Sequence, residues 1–207
     1  MRNSVREARS LRQIVDNFDT PEQKLLSAPP RRSARFIEEP GYYPEGGIWL
    51  YGNAKLLHSK LHCIQAALGP NWHDPIELSQ IESEAEEAVL GMKVLVCGIH
   101  HAAHMRSAII PLRFGAPRIV VVSGGFHYHL GRNLTNEPFP AARLWRYQWD
   151  PDTDLIISRR APEKLPTYAT HNPTVDRLID GIANHTWPGL NSPLDSLTPC
   201  LAVPSSG

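Results

Sequence analysis

The 207-residue chain carries no excess of charge: 21 basic side chains balance 21 acidic ones. That excludes a global electrostatic field able to draw the protein onto nucleic acid or an acidic membrane, so any phosphate binding must come from a local patch. Long apolar runs are also missing, and none approaches the roughly 20 residues of a membrane span. The N-terminal segment is charged throughout rather than basic and then apolar, unlike a secretory leader. Cysteine is scarce. Cys63, Cys97 and Cys200 are odd in number and far apart, and the first two lie in apolar runs, which suits buried inert thiols and not a disulfide framework. A cytoplasmic location is the simplest expectation.

What is present is an alternation of short apolar runs with helix-period segments. Residues 1–26 read as an amphipathic helix, with Val5, Ala8, Leu11, Ile14, Val15 and Phe18 on one side and Arg2, Arg6, Arg9 and Arg12 on the other. Residues 27–47 are rich in proline, arginine and glycine and read as a linker. A folded domain is expected over 48–186, with a short strand at Trp49-Leu50-Tyr51. Parallel strands are expected near 61–66, 93–97, 118–123 and 154–158, and helices near 76–90, 101–114 and 173–185. Gly115 suits the C′ position of the middle helix, and Asn172-Pro173 suits the cap and first position of the last. The tail from Trp187 to 207 holds four prolines and no apolar period, which predicts disorder. The whole implies an α/β fold: a Rossmann-like parallel sheet with helices on both faces.

In such a sheet ligands gather at the carboxyl ends of the strands. Two turns should lie there. The first is Gly98-Ile99-His100-His101-Ala102-Ala103-His104. The second is Ser123-Gly124-Gly125, followed by His127 and His129. Paired glycines after a parallel strand allow backbone amides to approach an anion, although a tight turn uses them equally well. Gly98, His100, His104, Ser123, Gly124, Gly125 and His127 are therefore the candidate phosphate- or nucleotide-binding residues. His100 and His104 stand at the spacing at which two imidazoles share a metal. No His-Glu-x-x-His pattern accompanies them, and polar lining of a cleft or helix capping explains them as well, so no metal or cofactor is expected. No catalytic set is evident: Ser123 has no nucleophile elbow. Asp150, Asp152 and Asp154 read as a solvated turn, and Trp145, Tyr147 and Trp149 as alternating strand aromatics able to pack or to stack bases.

The order of these pieces resembles the DNA-processing protein family (DprA, also called Smf). Trp49-Leu50-Tyr51-Gly52-Asn53 with Leu56-Leu57 is similar to the segment before that family's first Rossmann strand. Gly98-Ile99 through Ala103-His104 resembles its Gly-Ile-Asp-x-x-Ala-His helix start. Gly115 to Gly125, Leu130-Gly131-Arg132-Asn133-Leu134 and Asp154-Leu155-Ile156-Ile157-Ser158 resemble its later elements. The likeness covers residues 48–160. It departs where the family's Gly-Ser-Arg gives way to Gln65-Ala66-Ala67-Leu68, where His100 replaces aspartate, and after Ser158, where the Arg-Asn-Arg segment is missing. A divergent or specialised member fits best.

The resemblance implies a non-enzymatic protein that binds single-stranded DNA in recombination or DNA uptake. It also implies hand-over of that strand to a RecA-type recombinase and self-association as a homodimer. Arg106, Arg113, Arg118 and Arg132 are the candidate DNA contacts. An alternative is a sensor or enzyme for a nucleotide or nucleotide derivative, in the related lysine-decarboxylase-like (LOG) branch. Ser123-Gly124-Gly125-Phe126-His127 lacks the Gly-Thr half of that branch's loop. A third possibility is an interaction module with an inactive cleft.

Overall fold

A computed structural model describes residues 36–64, 74–166, 172–190 and 198–199. The expected N-terminal helix, the first part of the linker, Gln65-Ala66-Ala67-Leu68 and Cys200 lie outside them.

Among the described residues seven strands form one sheet in the order β3-β4-β5-β6-β2-β1-β7. They are β1 (Phe36–Tyr43), β2 (Ile48–Asn53), β3 (Leu61–His62), β4 (Val94–Gly98), β5 (Arg118–Val122), β6 (Leu155–Ser158) and β7 (Thr198–Pro199). Strands β3 to β6 are parallel neighbours, as their apolar runs imply. The sheet is mixed, however, because β2 joins β6 antiparallel and β1 and β7 extend that half. Part of the presumed linker is thus strand β1. A register irregularity between Ile37 and Gly41 takes up the segment containing Pro40, which has no amide to donate. The tail is likewise not featureless. Leu190 is buried, Trp187 donates its indole N–H to the Gly46 carbonyl at 2.9 Å, and β7 pairs with β1.

The helices are α1 (Pro75–Leu90), α2 (Ala102–Arg113), the single turn α3 (Phe126–Leu130) and α4 (Pro173–Ala183). Asp74 caps α1, and Asn172 caps α4 ahead of Pro173. Gly115 follows the end of α2 with a φ of 61°, the left-handed conformation expected of C′. Every residue of β4, β5 and β6 is buried. On one face Val94, Val96, Ile119, Val121, Leu155 and Ile157 pack against Val175, Leu178, Ile179 and Ile182 of α4. On the other, Cys97, Val120, Val122 and Ile156 meet Ala108 and Phe126, while Leu95 meets Ala85, Ala88, Val89 and Ile110. The result is a Rossmann-like α/β fold with helices on both faces. No helix among the described residues is long and apolar enough to cross a membrane.

Candidate functional site

Strands β4 and β5 are adjacent, pairing Gly98 with Val121, so both turns reach the same edge of the sheet. Their fates differ. At the end of β4 the chain turns through Gly98, and the His100 ring folds back over it. A Cβ on Gly98 would lie 2.5 Å from His100 Nδ1. His101 then adopts extended backbone and accepts the Ala103 amide on its ring Nδ1, which makes it the N-cap of α2. One histidine of the three is therefore a helix cap. His100 precedes the helix, so its proximity to His104 comes from the bend at the cap and not from a continuous helical turn.

The partner of these rings is Asp176, in the first turn of α4. His100 Nε2 is 2.8 Å from Asp176 Oδ1, and His104 Nε2 is 3.6 Å from the same oxygen. The two imidazole centroids are 5.0 Å apart. Both histidine side chains are 7% exposed and Asp176 is 32% exposed, so the carboxylate is the member most open to solvent. Burial, aided by the neighbouring His104, lowers the His100 pKa despite its bond to Asp176. Burial would raise that of Asp176, but the facing His104 and His100 rings outweigh it and hold the carboxyl below its ordinary value. The cluster thus combines an ionised carboxylate with an imidazole, His100, that resists protonation. Asp176 was not singled out by sequence; its position in a capped first turn at the carboxyl edge of the sheet was the available signal.

The glycine turn is closed by the chain itself. The Gly125 amide donates to the Lys164 carbonyl at 2.7 Å, and the His127 amide to the Pro162 carbonyl at 2.9 Å. Ser158 Oγ donates to the Gly124 carbonyl at 2.8 Å. A Cβ on Gly124 would lie 2.8 Å from Pro166, and one on Gly125 only 2.3 Å from the carbonyls of Ala161 and Pro162. The glycines are needed for the approach of segment 161–166, and the Gly125 and His127 amides are occupied by it. Of the backbone amides expected to face an anion here, that of Gly125 is thus already bonded within the chain. Ser123 is half-buried, and His127 is exposed and does not join the His100 cluster.

The candidate DNA-contacting arginines are also redistributed. Arg118 is completely buried. Its Nε donates to Asp154 at 2.9 Å, Nη1 to the Ala108 carbonyl at 2.8 Å, and Nη2 to both oxygens of Glu137 at 2.7 Å. Arg118 therefore cannot meet DNA. Asp154 is fully buried too, paired with Arg118 and Arg146, which corrects the view of 150–154 as a wholly solvated turn. Arg106 is held by Glu82 at 3.1 Å, and Arg113 lies within 3.9 Å of both Glu82 and Glu86. Arg132 is exposed. Trp145, Tyr147 and Trp149 are not in a strand: Trp149 belongs to the core, while Trp145 and Tyr147 are 51% and 72% exposed.

No protein-family profile, curated protein or solved structure matches this chain.

Proposed function

We propose that the chain is a binding domain for single-stranded DNA, contacted along residues 143–147 and Arg132 and not at the glycine turn. The observation that carries the reading is the Arg113 guanidinium lying 5.2 Å over the ring of Trp145, beside exposed Tyr147, Leu144 and Arg143. Exposed aromatics interleaved with arginines form a stacking platform for unpaired bases, worth about 1–3 kcal/mol per base. The resemblance of Gly98–His104 and its flanking segments to the DNA-processing family supports the same reading. It extends the proposal to self-association and to delivery of the strand to a RecA-type recombinase.

The test is titration of a fluorescent oligonucleotide at low salt. Saturable binding is expected, with log affinity falling against log salt by about 0.7 per neutralised phosphate. Trp145→Ala with Tyr147→Ala is expected to weaken it by about tenfold or more. No saturable binding up to about tens of micromolar overturns the reading.

The His100–Asp176 pair favours a second reading, a nucleotide or nucleotide derivative at the carboxyl edge of β4. There the N-termini of α2 and α4 meet a carboxylate and imidazoles able to bond ribose hydroxyls and base edges. Calorimetry with a nucleotide panel separates the two. Binding abolished by His100→Ala but indifferent to Trp145→Ala supports the nucleotide site, and the opposite pattern supports the DNA surface.

A further inference from the structure

We propose that His100, His104 and Asp176 form a binding site for a divalent transition-metal ion of the zinc class, with a coordination position left open toward solvent. Among the described residues they are the one group of three ligating side chains whose donor atoms all lie within 4.8 Å of one another. Both Nε2 atoms converge on a single carboxylate oxygen, at 2.8 and 3.6 Å. Zinc bonds of 2.0–2.1 Å to tetrahedrally arranged ligands set neighbouring donors about 3.3 Å apart. The first distance has to open and the second to close by a few tenths of an ångström, and the two nitrogens, which lie within 4.8 Å of each other, have to draw together as well.

The hydrogen bonding of the cluster is a poor reason for its existence. One oxygen serves two rings, and only the His100 contact is a hydrogen bond of ordinary length. Polar groups gathered in a core for stability are normally satisfied, and leaving them otherwise is costly. A cation bound at the Nε2 side supplies the interaction that the carboxylate alone cannot give both rings.

The donor set fits the ion. Two imidazoles and one carboxylate suit zinc, iron(II) or cobalt(II), whereas magnesium and calcium prefer oxygen ligands throughout. Three protein ligands leave a fourth position free, the arrangement of sites that bind water or a substrate atom and not of closed structural ones. The ligands are held by regular structure: Gly98 admits the His100 ring, the His101 cap fixes the bend, and α4 packs its Ile179 against the same turn. Asp176 is the most exposed of the three.

The test uses the full chain after chelator treatment, titrated with zinc(II) against a chromophoric chelator. One equivalent is expected to bind, with a rise in Tm. His100→Ala, His104→Ala and Asp176→Asn are each expected to weaken it by at least about 100-fold, while His127→Ala leaves it unchanged. A second measurement avoids variants altogether. In the wild-type chain, zinc is expected to shift the imidazole 15N resonances of His100 and His104 and to leave those of His127 in place. Absence of stoichiometric binding to the wild-type chain overturns the proposal, as does binding that survives all three substitutions or shifts His127 instead.

Discussion

Arg118 and Glu137 face each other in the core with no solvent access to either side chain, Nη2 lying 2.7 Å from both carboxylate oxygens. Asp154 accepts a hydrogen bond from Nε–H on the other side. Burial works against the guanidinium charge, but Asp154 and Glu137 together raise the Arg118 pKa, so the ion stays protonated. The network ties the start of β5 to the loop before Trp145 and to the start of β6. Its contribution lies in fixing that arrangement, since burying ions is itself expensive.

Removing the cation leaves the buried Glu137 and Asp154 with Arg146 alone as their charged partner. Arg118→Ala is expected to cost about 3–5 kcal/mol, measured as a lower urea midpoint. Arg118→Lys is expected to be destabilising as well, because an ammonium cannot reproduce the fork that reaches Asp154, Glu137 and the Ala108 carbonyl together. An unchanged midpoint in both variants would contradict the buried network.

Gly125→Ala places a methyl group 2.3 Å from two backbone carbonyls, at a φ of −71° that alanine tolerates freely. Any penalty is therefore steric and falls on segment 161–166. A loss of about 1–3 kcal/mol is expected, with new proteolytic cleavage between Arg159 and Lys164. A variant with wild-type stability and cleavage pattern would show that the segment does not seat on the turn.

His129 supplies a pH dependence. Burial alone lowers its pKa to about 4, and its Nε2 is buried without a partner. In the unfolded chain it titrates near 6.5, so between those values the unfolded state binds the extra proton and stability falls as pH falls. Between pH 7.5 and pH 5 the wild type is expected to lose about 2 kcal/mol more than His129→Phe in urea denaturation. Parallel losses in the two proteins would refute the assignment.

Cys97 is buried in β4, and burial pushes its thiol up to about 12. The thiolate is the reactive form. Pulse alkylation of the native protein is expected to spare Cys97, to label the half-buried Cys63 sooner, and to reach Cys97 at the rate of unfolding. Equal labelling of both in the native state would be inconsistent with the packing.

The parallel half of the fold was legible because strands covered on both faces become unbroken apolar runs, as in Val94-Leu95-Val96-Cys97 and Ile119-Val120-Val121-Val122. The Asn172-Pro173 start of α4 was legible for an equally local reason. Strand β1 was not: Pro40 and Gly41 write a loop into a segment that the sheet absorbs as a register irregularity. Arg118 looked like a surface cation because its acidic partners lie 19 and 36 residues away. Asp176 escaped notice in the same way, 76 residues from His100. Local chemistry wrote the elements, whereas the pairings between charged groups depend on a topology that no short window of sequence contains.

Segment 161–166 also fixes how the β5 turn can respond to a ligand. An anion entering there would compete with the Lys164 and Pro162 carbonyls for the Gly125 and His127 amides. Its apparent affinity is the intrinsic one scaled down by the fraction of molecules with the segment lifted. By linkage, the same ligand would favour the lifted state in proportion to its binding. Occupancy of the turn and accessibility of residues 159–166 are thus one equilibrium observed at two places.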